Sequence, residues 1–124
     1  MRVEPYVYFQ GRCDEALAFY REAVGADATV FARFEDRVAH AVLNVGDTVV
    51  LASDGQGEGQ PDFSGFSLSL TVSDDAEAER LFTALSNGGR VQVPMAPTPF
   101  ASRLGLVADK FGVPWMVVSQ NATG

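Results

Sequence analysis

The pattern of hydrophobic and polar positions predicts an ordered series of strands and helices along the chain. Short apolar or β-branched runs bounded by turn residues are typical of strands, and apolar residues at helical spacing are typical of helices. In the first half the pattern predicts a strand over 3–9, a helix from Cys13 to Val24 closed by Gly25, and strands over 28–35, 37–45 and 47–53. The pairs Glu35-Asp36 and Gly46-Asp47 mark two-residue turns where the last three strands meet, which favours an antiparallel meander.

The second half of the chain repeats this order. Residues 54–65 are rich in glycine and acidic side chains, so we expect an exposed linker there. A strand over 66–72, a helix that starts at Asp74, and strands over 90–95, 102–109 and 113–119 are predicted after it. The segments GDTVVLAS (46–53) and GVPWMVVS (112–119) share one pattern. We therefore expect a single domain made of two βαβββ modules, module one over about 1–55 and module two over about 66–124.

Composition and charge narrow the function classes. The chain has 124 residues, the size of one compact domain. Its formal net charge of −7 disfavours binding to nucleic acid and to anionic membranes. No apolar segment is long enough for a membrane span or a signal peptide, and Cys13 is the single cysteine, so we expect a cytoplasmic protein. Small neutral or cationic molecules remain as partners.

Four segments of the chain resemble one known superfamily: 5–26, 40–54, 66–82 and 103–119. They are similar to the glyoxalase/bleomycin-resistance/dioxygenase superfamily, also called vicinal oxygen chelate, and in particular to its PhnB-like branch, whose domains are labelled 3-demethylubiquinone-9 3-methyltransferase-like. The resemblance implies an α+β fold in which two modules curl their mixed sheets to form a cavity for a small molecule, commonly in a homodimer. The methyltransferase label carries little weight, because the chain has no dinucleotide or phosphate-binding fingerprint.

The same resemblance implies where metal ligands would stand. Metal-dependent members take a histidine from the first strand and a glutamate from the last strand of each module. Alignment places these positions at Pro5, Leu51, Ser67 and Val117, none of which carries an imidazole, a thiolate or a carboxylate. Moreover, one histidine per chain cannot form a two-histidine, one-carboxylate triad within one chain, and a dimer could pool two copies of His40 only if His40 lay at the twofold axis. We therefore expect no metal and no cofactor.

His40 is the main candidate for a functional side chain. It lies in the predicted strand 37–45, where alternation puts Val38, His40 and Val42 on one face. An imidazole on an apolar strand face is suited to act as a general base or as a hydrogen-bond partner of a ligand. The alternative is a partly buried histidine whose ring nitrogens are satisfied by backbone or water. We expect His40 to face the cavity.

Several aromatic residues and one arginine are weaker candidates for ligand binding. Tyr8, Phe100 and Trp115, together with Tyr6 and Phe9, are suited to line an apolar or cationic ligand. The alternative is that these aromatics simply belong to the core. Arg103 is suited to bind a ligand carboxylate, or else pairs with an acidic neighbour.

Three functions therefore remain open from sequence. The first is a metal-free homodimer that binds a small cationic or aromatic molecule. The second is a lyase, isomerase or dioxygenase that uses unorthodox metal ligands, or His40 with a carboxylate such as Glu4 or Asp109. The third is a dimeric module without a small ligand.

Overall fold

The protein has an α+β fold made of two similar units. The computed structural model describes residues 1–57, 59 and 61–120. Unit 1 spans Met1–Pro61 and unit 2 spans Asp62–Gly124. Each unit contains one four-stranded mixed sheet and one helix in the order βαβββ. The predicted fold class and the duplication are confirmed, and both sheets are open, not closed into barrels.

Unit 1 contains four strands and the first helix. In chain order they are β1 (Tyr6–Tyr8), α1 (Cys13–Val24), β2 (Asp27–Phe34), β3 (Arg37–Val45) and β4 (Thr48–Ser53). The sheet order is β1-β4-β3-β2, with β1 parallel to β4 and the other pairs antiparallel. The meander predicted from the two-residue turns is thus confirmed.

The core of unit 1 lies between α1 and one face of this sheet. Strand residues Val7, Ala41 and Ala52 are at most 4% exposed. Leu17 and Tyr20 of α1 are each 2% exposed. Because residues of a strand alternate between its faces, this burial leaves the side chains next to Val7 and Ala52 on the opposite, open face.

The predicted alternation in β3 is wrong at Val38. His40 pairs with Ala32 and Val38 pairs with Arg33, so Ala39 is an extra residue on β3. This irregularity is a β-bulge, which changes the side-chain direction on one side of the extra residue. Val38 is consequently 1% exposed, whereas His40 and Val42 are half-buried.

Unit 2 repeats the architecture with one longer strand. It contains β5 (Leu68–Val72), α2 (Asp75–Ser86), β6 (Arg90–Thr98), β7 (Ala101–Ala108) and β8 (Pro114–Ser119), in sheet order β5-β8-β7-β6. The Asp74 side chain caps α2 by accepting from the Glu77 N–H at 3.2 Å. Strand β6 runs past the predicted end at residue 95 despite Pro94 and Pro97, because an edge strand tolerates proline.

Candidate functional site

A groove of about 780 Å³ opens on unit 1. It is bounded by β1, by the hairpin between β2 and β3, and by the segment that follows β4. Its lining residues are Tyr6, Tyr8, Phe34, Glu35, Asp36, Arg37, Val38, Ala39, Ser53, Gly55 and Gln56. The groove therefore combines aromatic, acidic and backbone groups within one unit.

Two tyrosines of β1 form the aromatic wall of the groove. Tyr6 and Tyr8 are two residues apart in a strand, so their side chains share one face. Their rings are stacked, with centroids 4.7 Å apart and an interplanar angle of 22°. Tyr8 is 51% exposed and Phe34, on the hairpin side, is 71% exposed. These rings offer a flat apolar surface that is accessible from solvent.

His40 contacts this wall through a hydrogen bond to Tyr6. The Tyr6 hydroxyl oxygen lies 3.1 Å from His40 Nδ1, and the ring centroids are 5.7 Å apart. The Phe31 ring lies on the β2 side, 6.4 Å from the imidazole. Among the described residues, His40 is not part of the groove lining, so the Tyr6 hydroxyl is its contact with the groove. Sequence analysis missed this pair because the two residues are 34 positions apart.

The groove rim is acidic on the hairpin side. Glu35 and Asp36 form the turn between β2 and β3, and Arg37 follows them. Two carboxylates and one guanidinium leave one formal negative charge on this rim. The Arg37 guanidinium donates to the Gly55 carbonyl oxygen at 2.9 Å, so it also ties the hairpin to the segment after β4. The rim therefore carries a net negative charge beside the tyrosine wall.

Asp54 holds the inner wall of the groove. Its side chain is buried, and its two carboxylate oxygens accept from the backbone N–H groups of Cys13 (2.8 Å) and Val38 (2.6 Å). Burial, and next the charge of Asp54, raise the pKa of Cys13 to about 12. A thiol with such a pKa stays protonated near neutrality, so it is a poor nucleophile.

Trp115, one of the predicted ligand-binding residues, lies in the core of unit 2. It is 3% exposed, and its indole N–H donates to the Asp109 carboxylate at 2.9 Å. Asp109 also accepts from the backbone N–H groups of Phe111 and Val113, and so holds the turn before β8. This placement corresponds to the core alternative weighed for the aromatic residues.

Arg103 and Phe100 have separate surroundings in unit 2. The Arg103 guanidinium pairs with Glu79 of α2 at 3.3 Å and with Asp75 at 3.9 Å, the acidic-neighbour alternative. The pKa of Asp75 is lowered, first by its hydrogen bond from Ser102. Phe100 lies in the turn between β6 and β7 and is 75% exposed.

Within unit 1 the structure brings together Tyr8, Tyr6 and His40.

The residues at the metal-ligand positions do not fit a metal. Leu51 pairs with Tyr6 across β1 and β4, and its N–H donates to the Pro5 carbonyl oxygen at 2.9 Å. Val117 is fully buried opposite Gly105, where an added Cβ would lie 2.7 Å from Phe82 of α2. Position 117 therefore faces the helix, and its neighbours Met116 and Val118 occupy the other face.

The described residues offer no alternative ligand set for a metal. None of these aligned positions supplies a nitrogen, thiolate or carboxylate ligand. Residues 1–57, 59 and 61–120 contain no cluster of three or more His, Cys, Asp or Glu side chains arranged to hold a metal ion. In the same residues, no helix is long and apolar enough to cross a membrane.

Comparison with known proteins identifies the family. The sequence model of the 3-demethylubiquinone-9 3-methyltransferase family matches residues 1–118. The chain belongs to this family, which confirms the 3-demethylubiquinone-9 3-methyltransferase-like resemblance found in the sequence, and its fold is shared with glyoxalase-like structures.

Individual relatives match over nearly the whole chain. Protein YjdN of Escherichia coli strain K12 is 30% identical over an alignment of 146 residues, which covers 99% of each chain. The crystal structure of protein PA1353 from Pseudomonas aeruginosa is 37% identical over 98% of each chain, with a TM-score of 0.86. The fosfomycin resistance protein FosX from Listeria monocytogenes is 9% identical over 98% of this chain and 91% of its own, with a TM-score of 0.72. This last likeness concerns the fold alone.

Proposed function

We propose that this protein is a metal-free, cytoplasmic homodimer that binds a small cationic or aromatic molecule in the groove of unit 1. The observation that carries the proposal is the stacked Tyr6–Tyr8 pair beside an acidic rim. A groove volume of about 780 Å³ lies in the range of ligand pockets in proteins. The groove is contained in unit 1, and the assignment of both units to a single domain is part of this proposal.

The groove chemistry supports the proposed ligand class. A planar ligand would stack on the exposed Tyr8 ring, and a positive charge on that ligand would gain cation–π attraction. Glu35 and Asp36 would add attraction at the rim, weakened by salt because the rim is open to solvent. The net negative charge of the same rim would repel a carboxylate ligand.

The metal-free part of the proposal rests on the donor groups. Leu51 and Val117 carry aliphatic side chains where the metal-dependent relatives carry glutamate. Native mass spectrometry of freshly purified protein tests this part and reports the subunit number in the same spectrum. A dimer with a retained organic mass and no metal is expected. A stoichiometric transition metal in the spectrum would overturn the metal-free assignment.

The homodimer part rests on exposed aromatic side chains at a sheet edge. Strand β2 is an edge of the first sheet, and its Phe31 and Phe34 are 67% and 71% exposed. Open edges and apolar patches of this kind are commonly covered by a second copy. Light scattering at micromolar concentration should give the mass of two chains, and the mass of one chain would contradict this part.

The Tyr6–His40 hydrogen bond favours one alternative, an enzyme that uses His40 for acid–base chemistry. A phenol bonded to an imidazole is a unit that can move a proton to or from a bound substrate. Of the two carboxylates considered as its helper, Asp109 is 3% exposed and already accepts three hydrogen bonds, whereas Glu4 is more open. The reaction would be that of a lyase, an isomerase or a dioxygenase of this superfamily.

Binding of a simple probe tests the groove itself. A suitable probe is 2-naphthylmethylammonium, which combines a planar ring with a cation, and its binding can be followed by protein NMR. Tyr8→Ala should raise the Kd about fivefold to tenfold, because the stacking surface is lost. His40→Ala should also weaken binding without unfolding the protein.

Phe100→Ala is the matched control, since it removes an exposed ring outside the groove. Its Kd should equal that of the wild type. Equal Kd values for the wild type and Tyr8→Ala would refute binding in this groove. Conversion of a compound from a metabolite library by the wild type, lost in His40→Ala, would favour the enzyme.

A further inference from the structure

The hydrogen bond between Tyr6 and His40 has two directions. A phenol has one proton, so the Tyr6 hydroxyl either donates to His40 Nδ1 or accepts from it. A neutral imidazole protonated at Nε2 presents Nδ1 as an acceptor, whereas an imidazolium presents Nδ1–H as a donor. The protonation state and the tautomer of His40 therefore decide which way the Tyr6 hydroxyl points.

The direction of this hydroxyl decides what Tyr6 offers to the groove. When the Tyr6 proton is directed to His40, the phenol oxygen has lone pairs to offer and no further proton. It then accepts a hydrogen bond from a ligand N–H and cannot donate one. When His40 is an imidazolium, the Tyr6 oxygen accepts from Nδ1–H, and the O–H is free to donate to a ligand acceptor.

We propose that Tyr6 selects groove ligands that carry N–H⁺ donors, and that His40 sets this preference by fixing the direction of the Tyr6 hydroxyl. The inference rests on the proposed small-molecule binding in the groove of unit 1 and adds the ligand class to it: ammonium, amidinium or ring N–H cations, rather than quaternary ones. Tyr6 is the ligand-binding residue in this scheme, and His40 is a positioning residue.

Among the residues that the structure describes, the Tyr6 hydroxyl is the hydrogen-bond partner of the His40 side chain. Tyr6 of β1 and Phe31 of β2 are the ring neighbours. The charged side chains on or beside the strands of unit 1 are Glu4, Asp27, Arg33, Glu35, Asp36, Arg37, Asp47 and Asp54. Four of them have defined partners: Glu4 pairs with Arg2 at 3.8 Å, Arg33 pairs with Asp14 at 2.9 Å, Arg37 donates to Gly55, and Asp54 accepts from backbone N–H groups.

Two probes that differ only in their hydrogen-bond donors test the proposal. They are 2-naphthylmethylammonium and its N,N,N-trimethyl analogue, both of which remain cationic from pH 5 to pH 8. The general effect of an imidazolium charge acts on both probes, so the ratio of their Kd values isolates the hydrogen bond. We expect this ratio, trimethyl over ammonium, to fall about tenfold from pH 8 to pH 5, the size of one hydrogen bond to a charged group.

The single histidine of the chain provides an independent readout. Its ring resonances report the protonation of His40 in an NMR pH series, and the Kd ratio should change together with them. The ¹⁵N shifts at high pH should show the proton on Nε2. A proton on Nδ1 in the neutral form would overturn the proposal, because the Tyr6 hydroxyl would then already be free.

Variants separate this inference from the proposed function. In Tyr6→Phe the Kd ratio should be independent of pH, and Tyr8→Phe, which keeps both the ring and the Tyr6–His40 bond, should behave as the wild type. A pH-dependent ratio that persists in Tyr6→Phe would refute the inference. Equal binding of both probes at both pH values would also refute it while leaving groove binding intact. Failure of both probes to bind would instead contradict the proposed function.

Discussion

Replacement of Asp54 tests how the wall of the groove is held. The Asp54 carboxylate is 3% exposed and accepts from two backbone N–H groups, those of Cys13 at the start of α1 and of Val38 in β3. Each hydrogen bond to a charged group contributes about 1.5–3 kcal/mol. Asp54→Ala leaves both buried N–H groups without this acceptor, so we expect a loss of about 3–5 kcal/mol in the free energy of unfolding.

Asp54→Asn gives a smaller and more specific change. Its amide oxygen can keep one of the two N–H partners, while its NH₂ group faces the other as a second donor. We expect a loss of about 1.5–3 kcal/mol for this variant. Asp36→Asn, in the exposed hairpin turn, is the matched control and should stay within about 0.5 kcal/mol of the wild type.

The aromatic residues allow unit 1 to be monitored separately from unit 2. The three tyrosines Tyr6, Tyr8 and Tyr20 lie in unit 1, and the single tryptophan, Trp115, lies in unit 2. Urea unfolding followed by near-UV circular dichroism of tyrosine reports the first, and tryptophan fluorescence reports the second. Asp54→Ala should shift the tyrosine transition to lower urea. An unchanged tyrosine midpoint would show that the carboxylate does not hold the wall.

Two further predictions concern buried polar groups. Burial raises the pKa of Cys13 from 9.0 to about 12, so its contribution to stability is fully present below pH 9 and is lost as the pH rises toward 12. Accordingly, iodoacetamide at pH 8 should leave folded Cys13 unmodified and alkylate it in urea, and fast alkylation of the folded protein would contradict this. Trp115→Phe leaves the Asp109 carboxylate without its indole partner and should lower the free energy of unfolding by about 1–3 kcal/mol, measured by urea titration with far-UV circular dichroism. An unchanged midpoint would show that the indole bond contributes nothing.

The elements of the fold were predicted closely because their signals are local. The helix α1 starts at Cys13 and ends before Gly25, where a left-handed glycine closes it, as the apolar spacing indicates. Strand β6 was predicted too short because proline is excluded from central strands, and its edge position is a property of the whole sheet. The predicted side-chain direction of Val38 was wrong because the bulge at Ala39 depends on the pairing of β3 with β2, which the local sequence does not show.

The candidate site was less predictable than the fold. Sequence analysis named His40 and Tyr8 from residue type and strand alternation, and both lie in unit 1. Tyr8 lines the groove, and His40 contacts the groove through the Tyr6 hydroxyl. It treated Tyr6 only as one of several aromatic residues, because a hydrogen bond across 34 positions leaves no local pattern. Trp115 lies in the core, where its indole N–H has the buried Asp109 carboxylate as partner. The strand pattern around Trp115 does not reveal that partner.

By itself, the sequence determined the two βαβββ modules and the net charge of −7, since both follow from residue identity and short-range periodicity. The resemblance to the superfamily added the aligned metal positions, which carry no ligand group in this chain. The tertiary structure alone decided which side chains of the candidate site contact each other. The parallel pairing of β1 with β4 and the antiparallel pairing of β3 with β4 place Tyr6 and His40 on the same sheet face, within hydrogen-bond distance. Strand register sets such contacts, and register depends on packing between segments that are distant in the chain.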